Sequence, residues 1–134
     1  MTPPDPSTHP LHHVGVATES IQATAPLLEL LTGESCSPVE DLPSQGVRVA
    51  FVGQVELLEP LDPEGTVARF LERRGPGLHH IAFQVDDIEA ELDRLEAAGI
   101  RLIDRKPRRG AGGHLVAFLH PSATQSILTE LVQV

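Results

Sequence analysis

The chain has 134 residues, of which 40% are hydrophobic and 22% charged, a composition that is ordinary for a globular domain and argues against overall disorder. Its formal net charge of −9 argues against nucleic acid and against an anionic membrane as partners, because both are themselves negatively charged. Cys36 is the single cysteine, which excludes an intramolecular disulfide and fits a reducing cytoplasm.

Residues 1–10 predict a flexible N-terminal lead-in. They are rich in Pro, Ser and Thr, and they lack the apolar stretch of a signal peptide. Residues 11–134 have the length of a single domain. No apolar run in the chain approaches the length needed to cross a membrane.

The chain after the lead-in is a tandem repeat. Residues 11–17 (LHHVGVA) return as residues 78–84 (LHHIAFQ), which places His13 and His80 67 residues apart. Residues 49–52 (VAFV) return at the same spacing as residues 116–119 (VAFL). Residues 55–58 (VELL) correspond to residues 129–132 (TELV), after an insertion of about seven loop residues in the second copy. Because the matches keep one order, we interpret the chain as two copies of one unit.

Each copy predicts a strand, a helix and then three strands. In the first copy the strand covers residues 13–17 and the helix residues 20–32, where Pro26 would kink the helix or delay its start. Three further strands are predicted near residues 37–42, 47–52 and 54–59.

The second copy begins with a strand at residues 80–85. Its helix is predicted from Asp86, which has capping-box spacing to Glu89, and it ends at Gly99. Strands are predicted near residues 101–104, 115–119 and 126–134, with a long hairpin loop over residues 120–126. Between the copies, residues 66–74 predict a linking helix that Gly75 terminates.

Neither βαβββ unit can bury its apolar face alone, because one sheet face of each needs a partner. We therefore predict an α+β fold in which two tandem βαβββ modules form an eight-stranded curled sheet around a cleft. Module one covers residues 11–60, the linking segment with its helix residues 61–76, and module two residues 77–134.

Four polar residues interrupt the apolar strands at equivalent positions of the two copies: His13 and His80 in the first strand, and Glu56 and Glu130 in the last. One such residue alone would most simply lie on a solvated strand face. The repetition changes this interpretation, because a buried carboxylate needs a partner or a cation. Two imidazoles and two carboxylates suit a divalent ion with near-octahedral coordination. We therefore predict that His13, Glu56, His80 and Glu130 bind a divalent metal ion in the cleft.

Other polar residues give weaker signals. His12 and His79 should alternate to the opposite strand face, where they could at most support the site or meet solvent. The basic residues between Arg105 and Arg109 are either a solvated loop or a phosphate-binding segment. His120 begins the long loop and could line the cleft.

These motifs resemble the vicinal oxygen chelate superfamily and, within it, the methylmalonyl-CoA epimerases. The likeness covers about residues 11–134 and includes residues 45–47 (QGV), 55–60 (VELLEP), 67–71 (VARFL) and 118–121 (FLHP). It implies that His13, Glu56, His80 and Glu130 bind the metal ion. Cobalt is the ion that the resemblance favours, with Mn²⁺, Ni²⁺ and Zn²⁺ as alternatives.

The resemblance also implies a reaction, the interconversion of (R)- and (S)-methylmalonyl-CoA through an enolate that the metal stabilises. It implies an acyl-CoA substrate, whose phosphates the basic segment could meet, and a homodimer. Glu130 could serve both as ligand and as catalytic acid/base.

The chain departs from the family pattern at several positions. Val49 stands where a glutamate is the proposed base of some members, so either Glu130 or another carboxylate such as Glu40 must serve. Ser122, Gln125 and Ser126 replace a lysine and two glycines in the loop after the last His-Pro pair, and His12 replaces an aspartate.

Two other functions share these ligands. One is a glyoxalase-like metal-dependent lyase that acts on a thiol adduct, and the other is a binding protein that sequesters a small molecule in the cleft. Val49 keeps the binding protein open as a hypothesis, while the retention of all four ligands counts against it.

Overall fold

The structure is a computed structural model that describes residues 9–134, so residues 1–8 of the predicted lead-in lie outside it. Within the described residues the α-helices are α1 (Ile21–Thr32), α2 (Thr66–Arg74) and α3 (Ile88–Ala97). The strands are β1 (Leu11–Ala17), β2 (Glu40–Leu42), β3 (Val47–Val52), β4 (Val55–Pro60), β5 (Gly77–Gln84), β6 (Arg108–Arg109), β7 (Leu115–Leu119) and β8 (Leu128–Gln133).

The strands form one mixed, curled sheet in the order β2-β3-β4-β1-β5-β8-β7-β6. β1 and β5 pair antiparallel at its centre, and each has a parallel neighbour on its other side, β4 and β8 respectively. The two halves of the sheet thus repeat the same arrangement on either side of the β1–β5 pair. This confirms the predicted α+β fold with an eight-stranded curled sheet, while the module boundaries at residues 60 and 77 stay a prediction.

The helices follow the predicted pattern with two differences at their first turns. α1 runs unbroken through Pro26 and starts only one residue later than predicted, because the Ser20 side chain accepts a hydrogen bond from the Ala23 amide and caps it. α3 begins after Asp87 and not Asp86, since the Asp87 carboxylate accepts from the Ala90 amide at 3.1 Å. α2 has the predicted bounds, and Gly75 caps its C-terminal end.

The strand predicted at residues 101–104 is wrong. That segment forms an isolated bridge between Leu102 and Leu119 and a few backbone hydrogen bonds, but no regular strand. The edge strand is Arg108–Arg109, which pairs with β7. The Asp104 carboxylate accepts a hydrogen bond from the Phe118 amide at 2.9 Å. A side chain therefore occupies the place that a backbone carbonyl of a regular ladder would take. The long loop after β7 contains a short 3₁₀ helix, Pro121–Thr124.

The helices pack against the sheet through apolar side chains. Ile21 and Ala25 of α1 lie against Val52 and Leu57 of β3 and β4, and Ile88 and Leu92 of α3 lie against Leu131 of β8. Among residues 9–134, no helix is long and apolar enough to span a membrane.

Candidate metal centre

His13 and His80 lie side by side on the two central strands. β1 and β5 pair so that His13 faces Ala82 and His80 faces Gly15 across the ladder. The two imidazoles are 4% and 2% exposed, and their Nε2 atoms are 3.1 Å apart. The pairing of the two copies thus joins histidines that are 67 residues apart in the chain.

Glu56 and Glu130 lie on the strands that flank this pair. Glu56 is opposite Gly15 in the β1–β4 ladder, and Glu130 is opposite Ala82 in the β5–β8 ladder, which is the equivalent position of the second copy. Each carboxylate is 6% exposed. Glu56 Oε1 lies 3.4 Å from Nε2 of His13 and 3.3 Å from Nε2 of His80, and Glu130 Oε1 lies 3.1 Å and 3.6 Å from the same atoms. The structure therefore brings together all four residues that the sequence singled out.

The rings are held by close packing. Phe51 meets His13 edge-on with ring centroids 5.4 Å apart, and Phe118 meets His80 at 5.7 Å, again at equivalent positions of the two copies. Position 15 has room only for glycine, because the His80 ring lies over it and a Cβ there would lie 2.1 Å from Cε1 of His80. The sequence repeat already contained Phe51 and Phe118, but their role depends on the fold.

The histidines and glutamates of the cluster shift one another's pKa values. Burial alone would lower the pKa of His13, but the facing carboxylates of Glu130 and Glu56 raise it to about 9. Burial would raise the pKa of Glu56, but His13 and His80 lower it to about 2. The pKa of His80 is raised and that of Glu130 lowered for the same reasons. The facing carboxylates therefore favour a proton on His13 at neutral pH.

This donor set fits a divalent cation. Ligand atoms of His13, His80 and Glu130 lie within 4.8 Å of one another, and all three residues are buried. Although Glu130 Oε1 is close to His13, it is buried without an aligned hydrogen bond among the described residues. One cation between two imidazole nitrogens and carboxylate oxygens would satisfy that oxygen and displace the proton of His13.

His12 and His79 lie nearer to the cluster than strand alternation predicts. Nδ1 of His12 is 2.7 Å from Nδ1 of His13, and Nδ1 of His79 is 2.9 Å from Nδ1 of His80. His79 also lines the cleft, so the prediction of an opposite-face position is wrong for it. The reason is a shift in the β1–β5 register beside each of the two residues, which interrupts the alternation.

A cavity of about 320 Å³ opens above the cluster. Val47, Val49, Leu58 and Phe118 give it apolar walls, and Glu56 and Glu130 are the carboxylates in its lining as far as the structure describes the chain. Glu40 lies outside it, where its carboxylate accepts a hydrogen bond from the Gly112 amide.

The basic segment divides between different partners. Arg108 lines the cavity, Arg105 pairs with Glu96, and Arg109 donates to the Gly113 carbonyl. His120 binds Ser122 in the long loop and is not among the residues that line the cavity. Of these candidates, only Arg108 is placed beside the site.

The curled sheet of two repeated halves and the His and Glu cluster at its centre together define the class of protein to which this chain belongs. The family model described as Glyoxalase/Bleomycin resistance protein/Dioxygenase superfamily matches residues 12–118, and the chain belongs to this superfamily. Within it, the chain belongs to the family of the methylmalonyl-CoA epimerases, as its relatives show.

One relative is the ethylmalonyl-CoA/methylmalonyl-CoA epimerase of Cereibacter sphaeroides, which is 38% identical over 130 residues, covering 92% of this chain and 97% of the relative. A solved structure of Streptomyces coelicolor methylmalonyl-CoA epimerase, a variant in complex with 2-nitronate-propionyl-CoA, has a TM-score of 0.86 and 32% identity, covering 92% of this chain and 93% of that one. A methylmalonyl-CoA epimerase in complex with methylmalonyl-CoA and NH4+ has a TM-score of 0.86 and 32% identity, covering 93% and 94%.

The contact between Gly15 and His80 gives a first prediction. Gly15→Ala should displace the His80 ring and weaken Co²⁺ binding by about 10–100-fold, the range seen when a ligand loses its support. Gly75→Ala is the control, because Gly75 has a φ of 74° with no atom near its absent Cβ. That variant should lose stability but keep its metal affinity. Unchanged Co²⁺ affinity in Gly15→Ala would contradict the packing argument.

The raised pKa of His13 predicts proton release on metal binding. At pH 7 the metal-free His13, with its pKa of about 9, carries a proton that a metal ion must displace. Apparent Co²⁺ affinity should therefore rise with pH between 7 and 9, by about tenfold per unit for each proton released. Calorimetry in buffers of different ionisation enthalpy measures the number of protons released on binding. Release of no protons at pH 7 would refute the prediction.

Proposed function

We propose that this chain is a metal-dependent epimerase that interconverts (R)- and (S)-methylmalonyl-CoA. The observation that carries the proposal is the convergence of two repeat-related His and Glu pairs beneath an apolar cavity. It occurs in a chain whose relatives include enzymes with that name over nearly their full length. The activity follows from the family together with the retained donor set.

His13, Glu56, His80 and Glu130 would hold the divalent ion. When bound, it supplies positive charge next to the substrate oxygens, which stabilises the negative charge that develops as the α-proton leaves. The resemblance favours Co²⁺, and the mixed nitrogen and oxygen donors also accept Mn²⁺, Ni²⁺ or Zn²⁺. The choice of ion belongs to the proposal.

The chain's own carboxylates would move the proton. Epimerisation needs a proton to leave one face of the α-carbon and return on the other. We assign Glu130 as the acid/base, because it lines the cavity and its lowered pKa keeps it ionised at neutral pH. Val49 provides apolar wall in place of a second base, and Glu40 lies outside the cavity. Glu56 is the other carboxylate that could reach the second face.

The cavity suits the acyl end of an acyl-CoA. Its apolar walls can receive a methyl group and limit the access of water to the reacting carbon. Arg108 lines the cavity and its guanidinium lies over Phe118, 5.7 Å from the ring centroid. We propose that the CoA phosphates lie along the basic segment from Arg105 to Arg109, where guanidinium groups can pair with them.

We further propose a homodimer in the cytoplasm. Leu27, Leu30 and Leu31 are 61%, 84% and 73% exposed at helical spacing on α1, which is an apolar face that a second copy could cover. The single cysteine, Cys36, fits a reducing compartment.

Isotope exchange tests the reaction. The Co²⁺-loaded chain incubated with methylmalonyl-CoA in heavy water should incorporate deuterium at the α-carbon as stereochemical purity is lost. Glu130→Gln should slow exchange by about 10²–10⁴-fold, and Glu40→Gln, the matched control outside the cavity, should leave the rate unchanged. Absence of exchange with Co²⁺, Mn²⁺, Ni²⁺ and Zn²⁺ would reject the epimerase and leave a lyase or a binding protein.

The exposed face of α1 predicts the oligomeric state. Leu30→Glu should convert the dimer to a monomer, because it introduces a charge at the most exposed leucine of that face. Sedimentation velocity measures the change. A monomeric unsubstituted chain, or a variant that stays dimeric, would show that this face is not the interface.

A further inference from the structure

Two irregularities in the β1–β5 ladder occur at equivalent positions of the repeat. The paired residues run from Leu11 with Phe83 to His13 with Ala82, and later from Gly15 with His80 to Val16 with Leu78. Each step skips one residue on one strand, His12 on β1 and His79 on β5. A bulge re-aims the side chains around it, so neighbouring residues need not point to opposite faces.

Each of these two histidines contacts Nδ1 of the histidine that follows it in the chain. His12 and His13 approach through their Nδ1 atoms at 2.7 Å, and His79 and His80 do so at 2.9 Å. Within residues 9–134, these are the hydrogen bonds formed by Nδ1 of His13 and His80. The Nε2 atoms of His13 and His80 point the other way, toward Glu56 and Glu130.

The chemistry of imidazole fixes the direction of both contacts once a metal ion is bound. A neutral ring that offers the Nε2 lone pair to a metal carries its hydrogen on Nδ1. His13 and His80 must then donate from Nδ1, and Nδ1 of His12 and of His79 must accept. Without an acceptor, each Nδ1–H would be a buried donor with no partner, which is costly.

We propose that His12 and His79 are positioning residues, each of which accepts the Nδ1–H of the adjacent histidine and thereby orients its Nε2 toward the metal ion. The inference rests on the proposed metal centre and adds a pair of residues to it, one from each bulge. Neither residue touches the ion. The two bulges thus serve the same purpose in both halves of the site.

The surroundings hold both rings in place. The His79 ring packs edge-on against Phe70 of α2 with centroids 5.0 Å apart, and the His12 ring lies 6.2 Å from that of His114. His79 therefore also connects the linking helix to the site, which His12 does not do.

Paired substitutions separate the hydrogen bond from packing. Leucine at position 12 or 79 keeps bulk near Nδ1 but accepts no hydrogen bond, whereas asparagine places an accepting Oδ1 there. His12→Leu and His79→Leu should each weaken Co²⁺ binding by about 10–100-fold and alter the visible spectrum of bound Co²⁺. His12→Asn and His79→Asn should restore most of that loss. His120→Leu is the control that should bind as the unsubstituted chain does, because the His120 ring hydrogen-bonds with Ser122 and does not line the cavity.

Affinity is measured by competition with a chelator, without substrate, on variants whose folding is checked by circular dichroism. Leucine variants that bind Co²⁺ with unchanged affinity and spectrum overturn the inference, as do asparagine variants as weak as the leucine ones. An unsubstituted chain that binds none of Co²⁺, Mn²⁺, Ni²⁺ and Zn²⁺ overturns the metal centre and this inference together.

A second measurement needs no substitution. In the Zn²⁺-loaded chain labelled with ¹⁵N, scalar coupling across the N–H···N bond should connect Nδ1 of His13 with Nδ1 of His12, and likewise His80 with His79. This decides the matter if a leucine variant does not fold. Rapidly exchanging Nδ1 protons with no such coupling overturn the proposal.

Discussion

The antiparallel pairing of β1 and β5 sets the geometry of the whole site. It joins the same strand of two repeated units, so His13 and His80 meet at the middle of the sheet with Nε2 atoms 3.1 Å apart. The parallel neighbours β4 and β8 then add one glutamate each at equivalent positions. Neither half contains more than half of the donor set, so folding of the two units together is what creates the cluster.

Burial of four ionisable groups in one place is costly, and the protein offsets this cost by pairing them. Each imidazole faces both carboxylates, which is why the pKa of His13 is raised to about 9 and that of Glu56 lowered to about 2. The compensation stays incomplete at Glu130 Oε1, which lacks an aligned hydrogen bond among residues 9–134. A cluster of this kind favours a cation, because the ion would neutralise the carboxylates and also contact the Glu130 oxygen that lacks a hydrogen bond.

Local sequence signals were sufficient to predict the bounds of an element where its residues favour a single secondary structure. The helix predicted over residues 66–74 and ended by Gly75 has the bounds of α2, and the strands predicted over residues 47–52 and 115–119 have those of β3 and β7. They failed where two local solutions compete. The segment around Asp104 has a composition suited to a strand, but the Asp104 carboxylate bonds to the Phe118 amide instead.

The sequence by itself determined that the chain is a duplicated unit and that His13, Glu56, His80 and Glu130 form two equivalent pairs, because repetition of a costly polar residue is visible without coordinates. Only the tertiary structure decided that Glu130, and not Glu40, lines the cavity, that Gly15 leaves room for the His80 ring, and that His12 and His79 meet the cluster. The physical reason is that each of these contacts joins residues far apart in the chain. The positions of His12 and His79, for example, depend on bulges that exist only once β1 and β5 have paired.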